Sequence, residues 1–173
     1  VRQSGSAAPK SIRARALVNA AGPWVDKVLT EIAGAKTKAK IRLVQGSHIV
    51  VPRHFEHDRA YMFQNADGRI VFTIPYLEDY TLVGTTDRDS SGDPDTAQAT
   101  DEEIAYLCDT VNRNFAKSIS PQDVVWHFSG LRPLYDDGTD DPSAVTRDYT
   151  LRLDDEAGRA PVLSVFGGEI TTY

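Results

Sequence analysis

The chemistry this sequence can offer rests on one histidine, two arginines and two glycine turns. His48 closes the tripeptide Gly46-Ser-His48 inside a run rich in Val and Ile. An imidazole exchanges a proton near neutral pH, so a histidine turned toward a cleft can serve as a general base. Turned inward, it is a hydrogen-bonded packing residue. Arg132, in Ser129-Gly-Leu-Arg-Pro133, and Arg147, in Thr146-Arg-Asp-Tyr149, each stand where a strand ends or turns. A guanidinium offers a planar fork of donors suited to phosphate, so the two can clamp one anion if the fold brings them together. Left apart, they are surface or ion-paired arginines. The segments Leu17-Val-Asn-Ala-Ala-Gly-Pro-Trp24 and Ser164-Val-Phe-Gly-Gly-Glu-Ile-Thr-Thr172 each run from a strand through a small-residue turn toward a helix start. Such turns admit close approach of an anion or a flat cofactor to backbone N–H groups, and they also serve as plain helix caps. The full G-x-G-x-x-G fingerprint for a dinucleotide occurs nowhere in the chain.

Positioning these groups calls for a sheet. Ile41 to Pro52, Ile70 to Tyr76 and Tyr80 to Thr85 carry β-branched and aromatic residues, with turns at Asn65-Ala-Asp-Gly68 and Glu78-Asp79. They predict consecutive antiparallel strands. Further strands are expected near 123–131, 146–153 and 162–166. Thr100 followed by Glu103 has capping-box spacing, and Ile104, Leu107, Val111 and Phe115 repeat at helical spacing, which predicts a helix laid over the sheet. A shorter helix should begin at Pro23, with Trp24, Val28, Leu29 and Ile32 on its apolar face and Gly34 as its stop. His54 and His57, in a charged turn, read as solvated, and His127 should face away from Trp126 across its strand.

Composition narrows the partners. The chain has 173 residues, 40% hydrophobic, with 19 basic and 25 acidic side chains and a formal charge of −6. A negative chain repels nucleic acid, so an anion site must be a local arginine cluster. The lone Cys108 sits among apolar helical neighbours and reads as a small buried hydrophobe, with no disulfide and no thiolate metal site. No run of residues is apolar and long enough to span a bilayer. Residues 1–14 read as a frayed start and 15–173 as one domain, and both chain ends read as boundaries within a longer protein.

Taken together, Val18-Asn-Ala-Ala-Gly-Pro-Trp24, Gly46-Ser-His-Ile-Val-Val-Pro52, Gly84-Thr-Thr-Asp87, Ser129-Gly-Leu-Arg-Pro-Leu134, Thr146-Arg-Asp-Tyr149 and Val165-Phe-Gly-Gly-Glu-Ile-Thr-Thr-Tyr173 resemble the aerobic FAD-dependent glycerol-3-phosphate dehydrogenases. The resemblance implies an α+β substrate-binding domain, a mixed and mainly antiparallel sheet with helices packed on one face. It also implies that an N-terminal FAD fingerprint domain and a C-terminal helical domain are missing, leaving the fragment inactive alone. The implied reaction oxidises glycerol 3-phosphate to dihydroxyacetone phosphate, with hydride passing to FAD and electrons to quinone. The full-length enzyme would be peripheral on the cytoplasmic side of the inner membrane, and a homodimer is among the assemblies allowed. By position, His48 matches the catalytic base, Arg132 the arginine that holds the reacting oxygen, and Arg147 an arginine that binds the substrate phosphate. Ala21, Gly22 and Trp24 match the turn near the FAD diphosphate, and Gly167, Gly168, Thr171 and Thr172 the turn beneath the flavin ring. Glu169 stands where the family usually has Lys, and Gln45 where it often has a basic residue. These departures keep open an FAD-dependent oxidase that uses oxygen or another hydroxy acid, and a non-catalytic anion-binding domain is the remaining alternative.

Overall fold

The computed structural model describes residues 8–34, 41–136, 138–140, 144–156 and 158–168. In chain order it begins with β1 (Leu17–Asn19). A helical segment follows as a tight turn over Gly22–Trp24, α1 (Val25–Lys27) and wider turns over Val28–Ile32. Then come β2 (Ile41–Pro52), β3 (Tyr61–Gln64), β4 (Ile70–Tyr76), β5 (Tyr80–Gly84) and β6 (Arg88–Ser90). The chain continues through α2 (Asp101–Asn114), β7 (Trp126–Tyr135), β8 (Tyr149–Asp154) and β9 (Val162–Gly167).

The large sheet is built on β2. Along one edge β2 pairs with β7 over Ile41 to Val50, and along the other it pairs first with β6 and then with β5, all antiparallel. Strands β5, β4 and β3 continue outward as a meander, as the two turn signals require. Helix α2 covers one face. Its Ile104, Leu107, Cys108 and Val111 pack against Ile49, Val51, Val71 and Val83 to form the main core. The helix starts on the expected capping box, with Glu103 N–H donating to Thr100 Oγ1 at 3.2 Å and Thr100 N–H donating to Glu103 Oε2 at 3.0 Å. The small sheet has the order β1-β9-β8, with β1 parallel to β9 and β8 antiparallel to it. Val25 and Leu29 seal its helical segment against Val162 and Phe166. The fold is thus α+β with mainly antiparallel strands, as expected.

Several local expectations are corrected. The short helix buries Val25 and Leu29 rather than a face through Trp24 and Ile32, and Ile32 is 72% exposed. Its turns widen from three to five residues per hydrogen-bonded loop, so no single helical period describes it. His54 is buried, only 8% exposed, and its ring meets the edge of Phe115. Charged neighbours in sequence hid the aromatic cluster beneath it. Strand β7 runs past the expected end near 131, through Pro133 to Tyr135. Proline is tolerated because, among the described residues, β7 is paired only with β2, so its outer edge needs no N–H there. β8 begins at Tyr149 rather than at 146, which leaves Arg147 in a loop.

Candidate active site

Side chains alternate along a strand. On β2 this sends Gly46 and His48 to the open face of the large sheet and Gln45, Ser47 and Ile49 to the face under α2. His48 stands opposite Gly84 of β5 and Phe128 of β7. Its ring stacks on Phe128 at 4.9 Å between centroids and 5° between planes. On its other side the ring fits only because residue 84 is glycine, since a Cβ there would lie 2.1 Å from His48 Cδ2. Burial lowers the proton affinity of His48, and the charge of Arg132 lowers it further, so the imidazole is neutral at pH 7. His48 Nδ1 is buried without a hydrogen-bond partner among the described residues. A neutral ring is the state a proton acceptor needs.

Arg132 lies on the same face of β7. Its guanidinium occupies the space a side chain at Gly46 would fill, since a Cβ there would sit 2.6 Å from Nη1. Nη2 donates to Thr85 Oγ1 at 3.1 Å, and Nη1 donates to Asp87 Oδ1 at 3.1 Å. Arg147 reaches the same carboxylate oxygen from the loop before β8, with Nη2 3.8 Å from Asp87 Oδ1. Two guanidinium groups thus converge on one carboxylate oxygen. The chain as a whole is negative, and these two arginines meeting at one point are the kind of local grouping that anion binding calls for.

The two glycine turns are neighbours because β1 and β9 run parallel in the register Leu17 to Val162 and Asn19 to Ser164. Parallel strands end on the same side of their sheet, so the turns that follow them meet there. Gly22, Gly167 and Gly168 have φ of +55°, +67° and +83°, a backbone region that side chains disfavour. Buried Asn19 ties the first turn down, its Nδ2 donating to Val25 O at 2.9 Å and to Ser164 Oγ at 3.4 Å. Gly168 N–H donates to the carbonyl of Asp148 at 3.3 Å, which sets the second turn against the residue after Arg147. Ala21 and Gly22 are half-buried and Trp24 is exposed at the first turn. At Gly22 a side chain would meet nothing within 4 Å, whereas at Gly167 and Gly168 it would run into Asp148 and Tyr149.

His48, Arg132 and Arg147 are therefore brought together. Gln45 is not part of that group: it is buried on the opposite face and donates to Glu103 Oε2 at 2.9 Å. A missing basic side chain at 45 thus leaves the anion cluster unchanged. Thr171, Thr172 and Glu169 lie outside the described residues. Asp87, Thr85 and Phe128 received no role from sequence reasoning, and the Gly84-Thr-Thr-Asp87 motif was the only signal for the first two.

Comparisons with known proteins give the chain its family. The family model described as FAD dependent oxidoreductase matches residues 1–173. Glycerol-3-phosphate dehydrogenase of Pseudomonas aeruginosa is 53% identical over 163 residues, covering 94% of this chain and 32% of the relative. D-erythritol 1-phosphate dehydrogenase of Brucella abortus is 47% identical, covering 99% of this chain and 34% of the relative. The solved structure of glycerol-3-phosphate dehydrogenase from Bacillus halodurans complexed with FAD superposes with a TM-score of 0.74 at 32% identity, covering 92% of this chain and 29% of that one. The chain spans about a third of the length of the curated relatives it matches. With its glycine turns, mainly antiparallel sheet and full-length match, the chain belongs to the FAD-dependent oxidoreductase family.

Proposed function

We propose that this chain is the substrate-binding domain, over residues 15–173, of an enzyme that oxidises sn-glycerol 3-phosphate to dihydroxyacetone phosphate. The observation that carries the reading is the convergence of Arg132 and Arg147 on one oxygen of Asp87, on the sheet face that holds a neutral His48. Arg147 binds the substrate phosphate and Arg132 holds the C2 oxygen. As the C2–H bond breaks, the hydroxyl proton moves to an imidazole nitrogen of His48, and the fixed guanidinium of Arg132 stabilises the developing alkoxide. FAD, when bound, supplies the acceptor for the hydride that leaves C2. Ala21, Gly22 and Trp24 would hold it on one side, and Gly167, Gly168, Thr171 and Thr172 on the other. Electrons then pass to membrane quinone, with the full-length enzyme peripheral on the inner membrane and able to form a homodimer. Among the described residues no helix is long and apolar enough to cross a membrane.

The test is dye-linked oxidation of glycerol 3-phosphate by the flavin-loaded full-length enzyme. His48→Ala should lower kcat on the order of a hundredfold or more with a small change in KM, since a base acts in the transition state. A His48→Ala enzyme with wild-type turnover would overturn the assignment. The isolated chain mixed with FAD should show no turnover. A second reading is favoured by the Brucella relative's name: a longer polyol phosphate as substrate. A higher kcat/KM for erythritol 1-phosphate than for glycerol 3-phosphate would select it, and stoichiometric peroxide release would select an oxidase.

A further inference from the structure

The face of the sheet away from the proposed substrate carries a buried polar cluster. Its centre is Glu103, a carboxylate of α2 that is 6% exposed. Oε1 accepts from Thr86 Oγ1 at 2.7 Å and from Ser47 Oγ at 2.8 Å. Oε2 accepts from Gln45 Nε2 at 2.9 Å, Thr100 N at 3.0 Å and Thr100 Oγ1 at 3.2 Å. Thr86 Oγ1 also accepts from the backbone N–H of Ser47 at 2.9 Å, and Ser47 Oγ shares a hydrogen bond with Ser129 Oγ at 2.8 Å.

The sequence neighbours of these residues are the ones assigned to the reaction. Ser47 lies between Gly46 and His48, Thr86 between Thr85 and Asp87, and Ser129 between Phe128 and Gly130. Strand alternation turns Ser47 and Ser129 toward α2 while their neighbours face the substrate side, and Thr86, in the link between β5 and β6, reaches Glu103 through its hydroxyl. Thr85 and Asp87 hold Arg132, and Phe128 holds the ring of His48. We infer that Glu103 is a positioning residue for the reaction, its buried carboxylate fixing the segments that present His48 and Arg132 from behind the sheet. The inference rests on the roles proposed for those two residues.

A helix cap alone does not account for this arrangement. A capping box works with Gln as well as Glu at its third helical position. Here all five groups around the carboxylate donate to it, which an acceptor-only side chain satisfies and an amide does not. Glu103→Gln therefore separates the two roles. Capping alone predicts near-wild-type kinetics, whereas positioning predicts displaced segments at the reacting centre.

In the flavin-loaded full-length enzyme, Glu103→Gln should lower kcat on the order of ten- to a hundredfold, with a smaller rise in KM. Thr86→Val should reproduce the loss, and Thr86→Ser, which restores the hydroxyl, should recover most of it. Asn112→Ala is the folding control. Asn112 pins the far end of α2, bonding the N–H and the carbonyl of Ile119, so its loss should lower Tm with kcat near wild type. Wild-type kcat and KM for Glu103→Gln beside an inactive His48→Ala would overturn the inference and leave the site reading standing. Wild-type turnover in both His48→Ala and Arg132→Ala would overturn both. Should Glu103→Gln fail to load flavin, equal kinetics of Thr86→Val and Thr86→Ser would overturn the inference instead.

Discussion

His48 shows how a single side chain acquires a role from its surroundings. Burial against Phe128 and Gly84, then the nearby Arg132 charge, lower its proton affinity below the ordinary 6.5. The base must be neutral to act, so kcat/KM should fall as pH drops through an apparent pKa below 6.5. His48→Asn should abolish that acidic limb, and a limb that survives the change would remove His48 from the role. In the proposed reaction Arg147 holds the substrate in the ground state as well as in the transition state. Arg147→Ala should therefore raise KM about ten- to a hundredfold with kcat little changed, the equivalent of one or two charge-assisted hydrogen bonds. At this scale the sequence was partly legible. Residue type and motif nominated His48, Arg132 and Arg147, because few residue types move a proton or fork onto phosphate. Asp87 was not nominated, since beyond its place in the Gly84-Thr-Thr-Asp87 motif one acidic residue among 25 carries no mark of the arginines it meets. His54 misled for the converse reason: its charged sequence neighbours gave no sign of the Phe115 ring that buries it.

Two glycines of neighbouring strands do different work, and substitution should separate them. At Gly84 a new Cβ would meet the His48 ring at 2.1 Å, so Gly84→Ala must drive the imidazole off Phe128. It should cost about 1–3 kcal/mol of stability together with turnover. At Gly46 the nearest atoms are the far end of Arg132 and the Thr85 hydroxyl, both at 2.6 Å, and a long side chain can swing aside. Gly46→Ala should thus lose turnover with less loss of stability. Urea midpoints measured beside kcat decide this, and equal stability losses would count against it. Glu103 links α2 to the same strands. Burial raises its proton affinity, but the hydrogen bonds from Thr86, Thr100 and Ser47 outweigh that and hold it below the ordinary 4.5. Below that pH the unfolded chain binds a proton the native one refuses, so stability falls as the medium is acidified. The slope should be shallower in Glu103→Gln. Elements with strong periodicity, such as β2, β4 and α2, were legible. The extension of β7 through Pro133 was not, because whether a proline breaks a strand depends on which edge is paired.

The two faces of the large sheet are unequal. One is sealed by α2, whereas the other carries Met62, Phe72, Ile74, Tyr76, Trp126 and Phe128 on the side of His48, all at least 36% exposed. Alternation made the strands readable, yet nothing in their pattern says which face a helix covers. An apolar surface this continuous is rare on a free-standing domain. Its association is opposed by a formal charge of −6, whose repulsion salt screens. The isolated chain should therefore bind a hydrophobic dye at neutral pH while still unfolding cooperatively, and it should self-associate more at 0.5 M than at about 0.05 M salt. Replacing Phe72, Ile74 and Trp126 with Thr, Thr and Gln should suppress both the dye signal and the association with only a modest fall in Tm, because each of these side chains is already 38–55% exposed. Light scattering across a concentration series provides the measurement. A chain that stays monomeric and dye-silent in both salts would mean that this face is covered in solution. His48 and Arg132 would then be shielded in the isolated chain as well, since they share that face.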